Sequence, residues 1–290
     1  MKTLYVIGGP TASGKTDMAI DLALRLNTEI LSADSRQCYR EMNIGVAKPS
    51  KEELAKVKHH FIDTHHIADE VSAGMYEKYA LDTLEHIFAQ HDAAVCVGGT
   101  GLYIKALCEG IDEMPPVDPL MKAEVEKMYE TQGLLSLQQA LQLEDAKFFS
   151  TAEQDNPMRL MRALSFVRSH GRSILDYRNQ QTKPRDFQIR KFVIDMDRDI
   201  LYHRINLRVD RMMQQGLLEE VKSLMPYRAY KSLNTVGYSE LFHYLDGEWT
   251  LPYAVDKIKQ HTRNYAKRQI TWFKHQGDFQ AVKFLKDIIS

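Results

Sequence analysis

Apolar positions along the first third of the chain follow two alternating rhythms. Thr3 to Gly8 is a short apolar run, which predicts a buried strand. Beyond a glycine-rich stretch, Met18, Leu22 and Leu26 recur at helical spacing. Ile30 to Ala33 is a second apolar run, stopped by Asp34, and Phe61-Ile62 is a further strand candidate. From Gly74 to Gln90, Tyr76, Tyr79, Ala80, Leu84 and Ile87 mark one face of a long helix. Ala93 to Val97 is continuously apolar and ends at Gly98-Gly99. Runs of this kind fit strands covered by helices on both faces. Strand and helix in alternation predict a parallel α/β sheet.

The pattern changes at Met114-Pro115-Pro116-Val117-Asp118-Pro119, where three prolines mark a boundary. From there to about Arg178 only helical periodicity is visible. Ile189 to Met196 then reads as a returning strand. The expected organisation is an α/β core in two parts, residues 1–113 and 187–290, around an all-helical insertion, residues 114–186. After Asp199 the chain reads as helices, ending in a long one from about Pro252 to Lys274.

Composition narrows this picture only slightly. The 290 residues are 44% hydrophobic and 27% charged, with a formal net charge of −1, ordinary for a globular protein. Global charge does not point to nucleic acid, although a polyanion responds to local patches. Cys38, Cys96 and Cys108 form no C-x-x-C pair or metal spacing, so reduced thiols are expected. The apolar run Leu4 to Ile7 is too short for a signal-peptide core. No stretch reaches the roughly 18 apolar residues of a membrane helix. A cytoplasmic protein with no membrane partner is expected.

The strongest chemical signal follows the first strand. Gly9, Pro10, Thr11, Ala12, Ser13, Gly14, Lys15 and Thr16 fit G-x-x-x-x-G-K-[ST] between a strand and a helix. Glycines let successive N–H groups converge on phosphate oxygens, and the helix N-terminus favours an anion. Lys15 adds a full charge, and the Thr16 hydroxyl is a candidate Mg²⁺ ligand. The fold class is therefore α/β, a P-loop NTPase-like parallel sheet with flanking helices and the helical insertion. The motif does not say which phosphates: ATP, GTP and organic diphosphates present similar oxygens. An ordinary NTPase would carry an apolar strand ending in Asp, but the Ala93 strand ends in Gly-Gly-Thr. Asp34 ends the second apolar run instead. On the residues alone Asp34 reads as a second-shell magnesium ligand, a proton-accepting base or a cap on its turn.

Eight segments together resemble one family. They are Gly9–Thr16, Ser32–Tyr39 (SADSRQCY), Asn43–Pro49 (NIGVAKP), Val97–Tyr103 (VGGTGLY), Asp155–Leu164 (DNPMRLMRAL), Arg208–Met212 (RVDRM), Val236–Tyr238 (VGY) and Thr262–Gln269 (TRNYAKRQ). The ordered set covers almost the whole chain and resembles the tRNA dimethylallyltransferases, also called isopentenyl-diphosphate:tRNA transferases. The resemblance implies transfer of a dimethylallyl group from dimethylallyl diphosphate to N6 of an adenosine beside the anticodon. It also implies that the P-loop holds the diphosphate leaving group. In that scheme Asp34 accepts the N6 proton, Thr100 lies near the bridging oxygen, and Arg208 clamps the departing diphosphate.

The resemblance further implies a tRNA anticodon stem-loop as partner. It is to be met by Asp34, Ser35, Arg36, Gln37, Thr100, Lys122, Met158, Arg159, Leu160, Met161 and Arg162. Without it, Arg208 reads as part of a solvated helix face with Arg204 and Arg211, and Thr100 as a helix cap. The residues add a basic stretch of their own. Lys257 to Lys274 contains no acidic residue, and Lys259, Arg263 and Lys267 share one helical face. Arg263 and Lys267 are thus candidate RNA contacts, as is the run Arg159, Arg162, Arg168 and Arg172. Tyr265, Trp272 and Phe273 could pack or stack. A monomer with no metal beyond Mg²⁺ is expected. A prenyltransferase acting on free adenine nucleotides, a P-loop kinase and an RNA-binding module with a vestigial P-loop are the competing readings.

Overall fold

The computed structural model describes residues 1–178, 182–276 and 278–289. Contacts divide the chain into two units: Met1–Gly110 with Pro184–Ser290, and Ile111–Lys183. The second unit begins and ends three residues before the 114 and 186 read from the prolines. Residues 179–181 of the expected insertion lie outside the described residues.

The first unit is built from β1 (Thr3–Gly8), α1 (Lys15–Leu26), β2 (Ile30–Ser32), α2 (Lys51–Lys56), β3 (His59–His60), α3 (Ala73–Gln90), β4 (Ala93–Gly98) and α4 (Gly101–Glu109). The second contains α5 (Pro119–Glu144), α6 (Ala146–Thr151), α7 (Pro157–His170) and a short 3₁₀ turn, Ile174–Tyr177. Returning to the first unit, the chain forms β5 (Gln188–Ile194), α8 (Arg198–Gln214), α9 (Leu217–Ser223), α10 (Tyr238–Leu245), α11 (Leu251–His275), β6 (Gln280–Val282) and α12 (Lys286–Ile289).

All strand pairings are parallel, in the order β3-β2-β4-β1-β5-β6. Alternation along β1 divides the core between the two faces of the sheet. Leu4 and Val6 join Leu31, Ala94 and Cys96 on one side. Ile7 joins Ile30, Val95, Val97 and Phe192 on the other. Both faces are apolar because helices cover both. The sheet differs from the sequence reading at its edges. The third strand is two residues earlier than Phe61-Ile62, and β6 was not anticipated.

Register decides what the sheet presents at its carboxyl end. Gly8 pairs with Gly98 and with Val193, and Ser32 with Val97. The segments after β1, β2 and β4 therefore leave the sheet side by side. In a doubly wound sheet this is where ligands bind.

The second unit has its own core, with Val125, Leu137, Leu141, Leu160, Leu164 and Phe166 buried. Gly133, at φ 73°, breaks α5 into two helical arms. Asn156 accepts the Arg159 amide at the start of α7, with Pro157 in its first turn, and Gly171 at φ 65° ends the helix. No strand occurs among the described residues of this unit.

Candidate active site

The loop after β1 curls tightly. Ala12 has φ 64° and Gly14 φ 88°, both left-handed. Gly14 precedes α1, and no side chain caps that helix. Its first N–H groups are thus kept for another acceptor, as an anion site requires. Lys15 Nζ donates to the Pro10 carbonyl at 3.2 Å. Burial lowers the Lys15 pKa from 10.5 to about 8, against the opposing charge of Asp34 and with some help from Arg208. The Ser13 hydroxyl is buried and has no hydrogen-bond partner.

A cavity of about 790 Å³ opens over this loop. Thr11, Lys15, Thr16, Asp34 and Arg208 all lie on its wall. Arg208, from α8, donates to the Thr11 hydroxyl at 3.1 Å. Its pKa is lowered by burial and then by the neighbouring Arg204, and the guanidinium remains a cation. Arg208 is therefore a cavity residue and not part of a solvated face.

Asp34 Oδ1 accepts the amides of Arg36 at 2.9 Å and Gln37 at 3.3 Å. One oxygen thus caps the turn after β2, while Oδ2 hydrogen-bonds to no described residue and stays available at the cavity. The capping and proton-accepting readings of Asp34 are compatible. Thr100 occupies the N-cap position of α4 but makes no side-chain cap bond. Its hydroxyl instead accepts the Ser35 amide at 3.0 Å and lies 3.3 Å from the Ser35 hydroxyl. Thr100 thereby braces the Asp34 turn.

The candidate RNA-contacting residues divide. Arg36 lines the cavity. Gln37 does too, but its amide is occupied: it donates to the carbonyls of Val46 and Ala47 and accepts from Ser32. In the second unit, Lys122 lies on α5 and Arg162 is exposed on α7. Met158 is 63% exposed, and Arg159 pairs with Glu153 at 2.9 Å. Leu160 is a correction: it is fully buried in that unit's core, so its side chain cannot meet a base. Met161 packs partly against the same core. Arg168 is held by Glu144 at 2.7 Å, which removes it from the basic run. On α11, Lys267 is exposed, Arg263 donates to Asn206 at 2.7 Å, and Lys259 pairs with Asp210 at 2.6 Å.

The opposite face of α11 reaches the site. Ile258, Thr262, Tyr265 and Gln269 line the cavity. Burial and then the charge of Asp34 raise the Tyr265 pKa, so the phenol stays neutral. Gln269 bridges two loops: its Oε1 accepts the Thr11 amide and its Nε2 donates to the Gly99 carbonyl, both at 2.9 Å. Residue reading did not single out Gln269. The available signal was the spacing 258, 262, 265 and 269, a second stripe opposite Lys259, Arg263 and Lys267. Trp272 and Phe273 pack with the core and form no stacking platform.

A phosphate-cradling loop on the first strand of a parallel sheet, sharing one cavity with a carboxylate and a buried arginine, defines a P-loop-like enzyme acting on a phosphorylated substrate. The sequence profile of the IPP transferase family matches residues 37–276. The chain belongs to that family, and is a transferase. The tRNA dimethylallyltransferase 1 of Bacteroides thetaiotaomicron is 44% identical over 280 residues, 97% of this chain and 91% of that protein. The full-length tRNA isopentenylpyrophosphate transferase of Bacillus halodurans superposes with a TM-score of 0.72 at 35% identity, covering 100% of this chain and 94% of that one. The tRNA delta(2)-isopentenylpyrophosphate transferase of Staphylococcus epidermidis gives 0.71 at 31% identity, covering 100% and 98%.

Proposed function

We propose that the chain transfers the dimethylallyl group of dimethylallyl diphosphate to N6 of an adenosine beside the anticodon of tRNA, releasing diphosphate. The observation that carries this reading is one cavity wall holding the P-loop, Arg208 and Asp34 together. N6 attacks the carbon that bears the diphosphate; the new N–C bond forms as the C–O bond breaks. Negative charge collects on the diphosphate, where Lys15, Arg208 and the open N–H groups of α1 are preorganised for it. The N6 proton passes to Asp34, since an exocyclic amine needs a positioned base. Thr100 and Ser35 hold the turn that aims that carboxylate.

Among the described residues, no group of three or more His, Cys, Asp or Glu side chains could hold a metal. Mg²⁺ needs few protein ligands when phosphate oxygens share its coordination. The Thr16 hydroxyl on the cavity wall would be the protein ligand, and the ion would supply further charge to the diphosphate.

Loop bases are single-stranded, so presenting the adenosine costs only a few kcal/mol. Arg36, Lys122, Met158, Arg159, Arg162, Arg263 and Lys267 are assigned to the anticodon stem-loop, with the helical unit gripping the stem. Among the described residues no helix is long and apolar enough to cross a membrane; a monomer working in the cytoplasm is part of the proposal. The test offers labelled dimethylallyl diphosphate with tRNA and AMP side by side, and labelled ATP in a parallel reaction. Label in tRNA alone is the expected result. Label in AMP would move the acceptor to free nucleotides, and phosphate added from ATP would make the protein a kinase.

A further inference from the structure

Gln269 is buried, yet its amide serves neither its own helix nor solvent. Thr11 N–H can only donate and the Gly99 carbonyl can only accept, so the two partners dictate which end of the amide faces which loop. Both bonds are 2.9 Å long. A Cβ on Gly99 would overlap Gln269 Nε2; the glycine is there to admit this side chain.

Each end of the bridge leads to one half of the chemistry. Through Thr11 it reaches Arg208, which donates to the Thr11 hydroxyl at 3.1 Å. Through Gly99 it reaches Thr100, whose amide donates to the Ala33 carbonyl at 3.1 Å and whose hydroxyl accepts the Ser35 amide at 3.0 Å. Ala33 and Ser35 flank Asp34. Gln269 thus links the phosphate loop directly with the turn that braces the carboxylate.

We propose that Gln269 is a positioning residue that sets the separation between the diphosphate cradle and the proton-accepting Asp34. Transfer demands it, because the attacking nitrogen must meet the carbon in line with the leaving oxygen while its proton faces a base. The inference rests on the reaction given above. A glutamine suits the place because one short group must both accept and donate. A leucine would orphan both partners, and an ionised glutamate would face the Gly99 oxygen with another oxygen.

The test is Gln269→Glu, which keeps the shape and removes the donor only while ionised. Turnover should fall roughly 10- to 100-fold at high pH, with KM for each substrate within about twofold of wild type. A protonated carboxyl can again donate to Gly99, so the ratio of variant to wild-type turnover should climb as pH falls from about 9 to 6. Arg208 from α8, Lys15 from α1, Asp34 after β2 and Tyr265 on α11 itself face this region. They are present in both proteins, and the uncharged Gly99→Ala variant below separates their titration from that of position 269. Gly99→Ala displaces the same amide and should lose turnover without the recovery at low pH. A ratio independent of pH, or wild-type turnover in Gly99→Ala, would overturn the proposal. If the wild-type protein itself prenylates no RNA, the proposed function fails instead, a result seen before any variant is assayed.

Discussion

Lys15 shows how burial makes a binding charge conditional. An ordinary lysine keeps its proton to 10.5, but here burial brings the pKa to about 8. Below that value the cavity holds an ammonium; above it the amine is neutral, and binding an anion must take up a proton. Affinity for inorganic pyrophosphate should therefore be full near neutrality and weaken as pH rises through about 8. Titration calorimetry across that range checks this, with Lys15→Arg expected to flatten the curve, since a guanidinium does not titrate there. An unchanged slope in that variant would assign the pH dependence to another group. Asp34 is the companion case: its Oδ1 caps the local turn. The sequence alone leaves cap and base as alternatives, because it does not show that a single oxygen, Oδ1, makes the cap.

At the level of elements, part of the cavity wall is a loop held from a distance. Glu220 of α9 accepts three successive amides, Asn43 at 3.2 Å, Ile44 at 2.7 Å and Gly45 at 3.1 Å, and the Tyr238 hydroxyl at 2.6 Å. A carboxylate filled in this way is a strong fastening. Glu220→Ala should speed hydrogen exchange at residues 43–45 by roughly tenfold, and unchanged exchange would place the fastening elsewhere. The same loop occupies the Gln37 amide, which turns an expected base reader into a tether. Elements with strong periodicity were legible in the sequence: β1, β4, α3 and the long α11 lie within a residue or two of their expected limits. The short edge strands were not. β6 is three residues long, and β3 is two; strands of that length carry no period and exist through their neighbours. The phosphate loop was legible because its chemistry is local. Gln269 was not, because its partners are 258 and 170 residues away along the chain.

For the whole molecule, a net charge of −1 conceals a local excess of cations over carboxylates on the cavity wall. Cations gather in the cavity at Lys15, Arg204, Arg208 and Arg211, while Lys259 and Arg168 are quenched by carboxylates. The proposed site is assembled from distant segments: the loop after β1, Asp34 after β2, Arg208 from α8 and Gln269 from α11 all line one cavity. In the proposed reaction, leaving-group binding and proton removal fall to separate parts of that wall, so they should be separable by mutation. The direct measurement is single-turnover transfer of a labelled dimethylallyl group to an anticodon stem-loop by Asp34→Asn, which keeps the Oδ1 cap, with pyrophosphate and RNA affinities measured alongside. Transfer should drop by roughly two to four orders of magnitude, with both affinities within about twofold of wild type. Transfer near the wild-type rate would contradict the account by removing Asp34 from the reaction.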